Sequence, residues 1–228
     1  MTQKLTVVFD LDGTLVDTAP DLAAAMNAVL AKQGRGHVPL EEVRHMVGQG
    51  ARALMSKAMA ATGAAAGDAL LDALYDQFLA YYLSNIADHS MPFPGVAAQL
   101  ERCLDAGFRL GVCTNKPEAA SNLLLDELDM SGYFSAVVGG DSLAVKKPDP
   151  EHIHETVRRA GGTVGHAVMV GDSANDIDAA RAAETRVIAV SFGYTQIPVR
   201  ELEPDVTIDH FDEFWPALQR LTGPESGA

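Results

Sequence analysis

Residues Leu5 to Phe9 are β-branched and largely apolar, the pattern of a short strand covered on both faces in a parallel sheet. Similar runs recur at Arg109 to Cys113, Ala136 to Val138, Ala167 to Val170 and Arg186 to Val190. Helical periodicity fills the spaces between the later runs. Val96, Leu100, Cys103 and Leu104 fall at i, i+4, i+7 and i+8, and Gly107 supplies a stop. This alternation predicts a doubly wound α/β core with a mainly parallel sheet and right-handed crossovers.

One stretch breaks the alternation. From about Val16 to Asp88 the chain is helical in pattern and offers no convincing strand. Leu22, Met26, Val29 and Leu30 make one apolar stripe, and Leu71, Leu74, Phe78 and Tyr81 make another. The reading is a helical domain over residues 16–90 inserted after the first strand, with the core formed by 1–15 and 91–228. Met91 to Gly95, rich in proline, serves as the return hinge, and the run from Ala60 to Gly67 as a loop between helices. The C-terminal "TGPESGA" is expected to fray.

Composition narrows the function. A chain of 228 residues with 47% hydrophobic content can bury a substantial core. With 17 Lys and Arg against 31 Asp and Glu, the formal charge of -14 argues against a nonspecific grip on nucleic acid or an anionic membrane. A small molecule is the expected partner, with the protein a monomer or homodimer. Only Cys103 and Cys113 occur, with neither disulfide nor metal spacing. No signal-like or membrane-spanning apolar run is present, so the expected location is the cytoplasm.

The candidate chemistry sits where the strands end. In "VVFDLDGTLVDT", Asp10 and Asp12 lie two apart, so they can face the same space as the strand runs out, and Gly13 permits a sharp turn. Turn geometry alone also favours Asp and Gly, so the pair needs support from elsewhere. "VCTNK" ends the second run with Thr114, "VKKPDP" follows the third with Lys147, and "VMVGDSANDID" ends the fourth with Asp172. Ligands of open parallel sheets bind outside the carboxyl ends of the strands, where these loops converge.

"FDLDGTLVDT", "TNK", "KKPDP" and "GDSANDI" resemble, in order and spacing, the motifs of the haloacid dehalogenase-like hydrolase superfamily, in particular its bacterial phosphoglycolate phosphatases. "MVGQGARALM", Met46 to Met55, looks like their cap segment. The resemblance implies a Rossmann-like core with a C1-type cap, and hydrolysis of a small phosphate monoester, 2-phosphoglycolate first, through an aspartyl phosphate with Mg²⁺. It implies Asp10 as nucleophile and Asp12 as general acid and base. Metal ligands would be Asp10, Asp172 and the Asp12 backbone carbonyl, with Asp176 behind them. Lys147 would offset phosphoryl charge, leaving Lys146 toward solvent, while Thr114 and the amides near Asn115, at a helix N-terminus, would hold phosphoryl oxygens. Gly48 and Gln49, with Gly50, interrupt the helical pattern and would contact substrate, or form a plain interhelical turn.

A dehalogenase would lack the second acid, so Asp12 argues for phosphoryl chemistry. The alternatives are a mutase of the β-phosphoglucomutase type, which tends to carry Val or Ile where Thr14 stands, and a general sugar phosphatase. A non-enzymatic binding protein would be favoured by loss of the nucleophile or metal acid, and neither is lost. One departure is visible: Glu184-Thr185 stands where relatives usually place Ala-Gly before the fifth strand, so the helix exit there should differ in shape.

Overall fold

The computed structural model describes residues 4–195 and 197–223. The chain enters through β1 (Thr6–Phe9) and touches a two-residue strand, β2 (Val16–Asp17). It then runs through four helices, α1 (Ala19–Lys32), α2 (Leu40–Arg44), α3 (Ala51–Ala61) and α4 (Asp68–Ser84), and returns through β3 (Met91–Pro92). Alternation follows with α5 (Val96–Asp105), β4 (Arg109–Cys113), α6 (Glu118–Glu127), β5 (Ala136–Val138), α7 (Pro150–Arg159), β6 (Ala167–Gly171), α8 (Ala174–Ala182), β7 (Arg186–Val190), β8 (Val206–Ile208) and α9 (Phe214–Thr222).

Six strands form one sheet in the order β5-β4-β1-β6-β7-β8, every pairing parallel. The doubly wound α/β reading is therefore correct. β1 lies inside the sheet and all four of its residues are buried, which explains why its sequence lacks alternation. Phe9 packs its ring 5.8 Å from Phe214 of α9, tying the C-terminal helix to the central strand.

Three local expectations need correction. β8 was not anticipated: its Val206-Thr207-Ile208 has a polar residue at the centre, where the equally short β5 is uniformly apolar. In α5, Leu104 is 38% exposed and Gln99 takes its place on the buried face, because Val96, Leu100 and Cys103 centre the stripe elsewhere. In α4 the buried tyrosine is Tyr82, with Tyr81 at 37% exposure. Tyr82 lies one helical turn above Phe78 and stacks on it at 5.8 Å, while Tyr81 sits at the margin of the face. The first stripe, Leu22, Met26, Val29 and Leu30, is buried throughout.

Where the chain leaves for the helical segment and comes back, β2 and β3 pair antiparallel, Val16 opposite Pro92 and Asp17 opposite Met91. The proline-rich return is thus held against the outgoing chain. Glu184 adopts φ 51, the left-handed conformation that a glycine would take without strain after α8. Of the C-terminal stretch expected to fray, residues 224–228 lie outside the described residues.

Candidate active site

Register builds the site. Phe9 is level with Val112 of β4 and Val170 of β6, so Asp10, Thr114 and Asp172 emerge together at one rim of the sheet. Asp10 is turned back onto its own loop, where the Leu11 N–H donates to its Oδ1 at 2.7 Å. Gly13 has φ 84, and a Cβ there would lie 2.6 Å from Asp172 Oδ2 and 2.9 Å from the Tyr194 ring. Glycine is required at this position by conformation and by space together. The next residue, Thr14, donates its hydroxyl to Asp172 Oδ1 at 3.0 Å.

A buried ammonium organises the acids. Lys147 Nζ lies 2.9 Å from Asp10 Oδ1 and 2.6 Å from Asp176 Oδ1. Burial works against its charge, but the two carboxylates outweigh burial and hold it above the ordinary lysine range. Lys146, its neighbour, is exposed and donates to the Gln49 carbonyl at 3.2 Å. Asp176 Oδ2 accepts from the Ser173 N–H at 3.0 Å, the Ser173 hydroxyl at 2.7 Å and the Asp172 N–H at 3.2 Å, capping α8. Asp172 Oδ2 accepts from the Tyr194 N–H at 2.6 Å.

The balance of charge leaves room for a cation. One oxygen from each of Asp10, Asp172 and Asp176 lies within 4.8 Å of the others, all three residues buried, against a single ammonium. Burial, with the neighbouring acids adding to it, raises Asp10 to about 7 and Asp172 well above the ordinary carboxylate value. A clustered set of hard oxygen donors that resists ionisation by itself is what a divalent cation relieves. The residues therefore fit a metal, with Asp10 and Asp172 the donors that keep capacity. Asp176 has one oxygen on Lys147 and three donors on the other, consistent with a place behind the ligands.

Above the acids runs the loop after β4. The Thr114 N–H donates to Val138 O at 3.0 Å and its Oγ1 accepts from the Lys116 N–H at 3.2 Å, leaving the hydroxyl proton free to point into the crevice. α6 begins only at Glu118 with Pro117 as its cap residue, so Thr114 and Asn115 precede the helix rather than forming its N-terminus. The Asn115 amide donates to Gly48 O at 3.2 Å and to Lys147 O at 3.1 Å, and Asn175 also donates to Gly48 O at 3.2 Å. Asn115 is thereby a tie between core and helical segment. Gly48 lines the cavity over Asp10 and Asp12, whereas Gln49 is exposed and lines an outer depression with Lys146.

Three functional neighbours escaped the sequence reading. Lys116, inside "TNK" but given no role there, places Nζ 2.9 Å and 3.2 Å from the two Asp12 oxygens. Tyr82 receives the same ammonium on its hydroxyl at 2.8 Å; centring the α4 stripe one residue further would have found it. Tyr194 lies in the segment between β7 and β8, where no periodicity marks it.

Clustered carboxylates beside a buried ammonium at the rim of a parallel sheet fit a metal-assisted hydrolase, and comparison narrows the class. The model of the haloacid dehalogenase-like hydrolases matches residues 7–190, and the chain belongs to that family. The phosphoglycolate phosphatase of Agrobacterium fabrum is 46% identical over 211 residues, 92% of this chain and 91% of that protein. That of Caulobacter vibrioides is 48% identical over 206 residues, 90% and 87% of the two chains. The crystal structure of a predicted phosphoglycolate phosphatase from Haemophilus somnus superposes with a TM-score of 0.89 at 32% identity, covering 96% of this chain and 100% of that one.

Proposed function

We propose that the protein is a Mg²⁺-dependent phosphatase that hydrolyses 2-phosphoglycolate to glycolate and phosphate through an aspartyl phosphate on Asp10. The observation that carries the reading is the convergence of Asp10, Asp12, Thr114, Lys147 and Asp172 at one strand rim, in a chain similar to proteins named for that activity. An Asp10 oxygen attacks phosphorus while the bond from phosphorus to the ester oxygen breaks, and Asp12 gives that oxygen a proton. Asp12 then takes a proton from water, whose oxygen attacks phosphorus, breaks its bond to Asp10 and restores the free carboxylate. Thr114 donates its hydroxyl to a phosphoryl oxygen, and Lys147 offsets charge beneath Asp10. Asp10, Asp172 and the Asp12 carbonyl would hold the Mg²⁺, which when bound lowers the repulsion between carboxylates and phosphoryl oxygens.

Residues 16–90 act in this reading as a cap that shields the crevice from bulk water, with the paired β2 and β3 as its root. The strongly acidic surface favours a small-molecule partner over nucleic acid, and no helix among the described residues is long and apolar enough to cross a membrane. We place the activity in the cytoplasm. A panel of phosphate monoesters assayed with and without Mg²⁺ tests the proposal, with 2-phosphoglycolate expected to give the highest kcat/KM. Equal turnover of many esters would reduce the protein to a general phosphatase.

A further inference from the structure

The cavity over Asp10 and Asp12 is walled on its outer side by Leu22, Val47, Leu54 and Phe78, and Lys116 carries the one positive charge among its lining residues. Its ammonium is held by both Asp12 oxygens and by the Tyr82 hydroxyl from α4. Lys147 lies below Asp10 and does not line this space, and Lys146 faces the outer depression. The apolar wall offers no partner to a sugar hydroxyl. The lysine offers one to an acid.

Resting on the substrate class proposed above, we infer that Lys116 is the receptor for the substrate's carboxylate, exchanging its resting ion pair with Asp12 for one with the bound acid. The shape of the substrate requires such a neighbour. In 2-phosphoglycolate only a methylene and the carboxyl carbon separate the ester oxygen from the carboxylate oxygens. The group that protonates the ester oxygen and the group that binds the carboxylate must therefore sit side by side, as Asp12 and Lys116 do. At rest the ammonium is paired with the Asp12 carboxylate; with substrate bound it is paired with the substrate carboxylate, which frees Asp12 to face the ester oxygen. An ester without a carboxylate leaves Lys116 paired with Asp12. Tyr82 keeps the ammonium placed in both states, so the helical segment supplies part of the selectivity.

The competing reading is that Lys116 only positions Asp12, in which case every ester depends on it equally. The test compares 2-phosphoglycolate with ethyl phosphate, which keeps the chain length and lacks the acid, in the Mg²⁺-loaded enzyme. The ratio of their kcat/KM values should fall about 10- to 100-fold in Lys116→Met, the worth of a hydrogen bond to a charged group, and recover in part in Lys116→Arg. Circular dichroism reports that each variant is folded. A ratio equal to the wild-type ratio in Lys116→Met overturns the inference while leaving the phosphatase reading intact. A wild-type enzyme that cleaves both esters without preference overturns the substrate assignment and the receptor with it. Should Lys116→Met fail to fold, Tyr82→Phe must lower the same ratio severalfold, and an unchanged ratio there is equally decisive against the inference.

Discussion

Tyr194 holds Asp172 with one end and the root of the helical segment with the other. Its N–H donates to Asp172 Oδ2 at 2.6 Å, while its hydroxyl accepts from the Ala19 N–H at 2.9 Å and bonds the Asp17 carboxylate. Arg44 completes the cluster, 3.0 Å from Asp17 and stacked over the Tyr194 ring. Tyr194→Phe keeps the first contact and removes the second, leaving the buried Ala19 N–H without its partner. The expected cost is about 1–3 kcal/mol of unfolding free energy, read by urea denaturation. A loss below a few tenths would mean that the hydroxyl contributes nothing at this root.

Asp10→Asn places an amide where a nucleophilic oxygen is required. Turnover of 2-phosphoglycolate should fall by roughly 10⁴-fold or more, as for other covalent nucleophiles. Phosphate trapped on the wild-type chain in a rapid quench should be absent from the variant. Residual activity near the wild-type rate, with deamidation excluded by mass spectrometry, would remove Asp10 from its role.

The same variant isolates a pH effect. Burial raises Asp10 to about 7 from 3.8, so across that interval the folded metal-free protein keeps a proton that the unfolded chain has released. Stability contributed by this group therefore falls as pH rises through the interval and levels off above it. His152 works oppositely: burial and Lys147 lower it to about 4 from 6.5, so its contribution rises with pH over its own interval. Subtracting Asp10→Asn from wild type cancels His152. In urea unfolding without metal, the variant should gain on wild type from about pH 4 to 7, and Mg²⁺ should shrink the gain. A difference that stays flat with pH contradicts the burial argument.

Much of this was legible because parallel strands covered on both faces must be short apolar runs, and because chemistry at their ends must lie on adjacent loops. Asp10, Thr114 and Asp172 needed no tertiary information beyond that rule. The adjacent Lys146 and Lys147 are not separable by sequence alone; burial distinguishes them, Lys147 lying inside and Lys146 exposed. What escaped depends on rotation and on loops. One residue decided between Tyr81 and Tyr82, and only the stacking on Phe78 settles it. Tyr194 acts through a backbone N–H, which no side-chain pattern announces. Asn115 lines the cavity with Thr114, and the tie its side-chain amide makes to the Gly48 and Lys147 carbonyls is a tertiary contact that the motif does not announce.

Asp176 provides the sharpest test of how Lys147 is held. One of its oxygens faces only a donor, the Lys147 ammonium, and the other faces three donors from Ser173 and Asp172. Asn at this position keeps the shape but must turn its NH₂ toward one side or the other. Either orientation sets donor against donor: against the ammonium it removes the pair, and against Ser173 it breaks the cap of α8. The residue is fully buried, so neither mismatch can be relieved by water at the surface. Asp176→Asn should therefore cost about 3–5 kcal/mol in urea unfolding, the range for removing one partner of a buried ion pair. Its kcat should fall further than its KM rises, since Lys147 freed from one carboxylate moves against Asp10 at the reacting centre. Stability within 1 kcal/mol of wild type, with kcat unchanged, would show that Lys147 is placed by Asp10 alone.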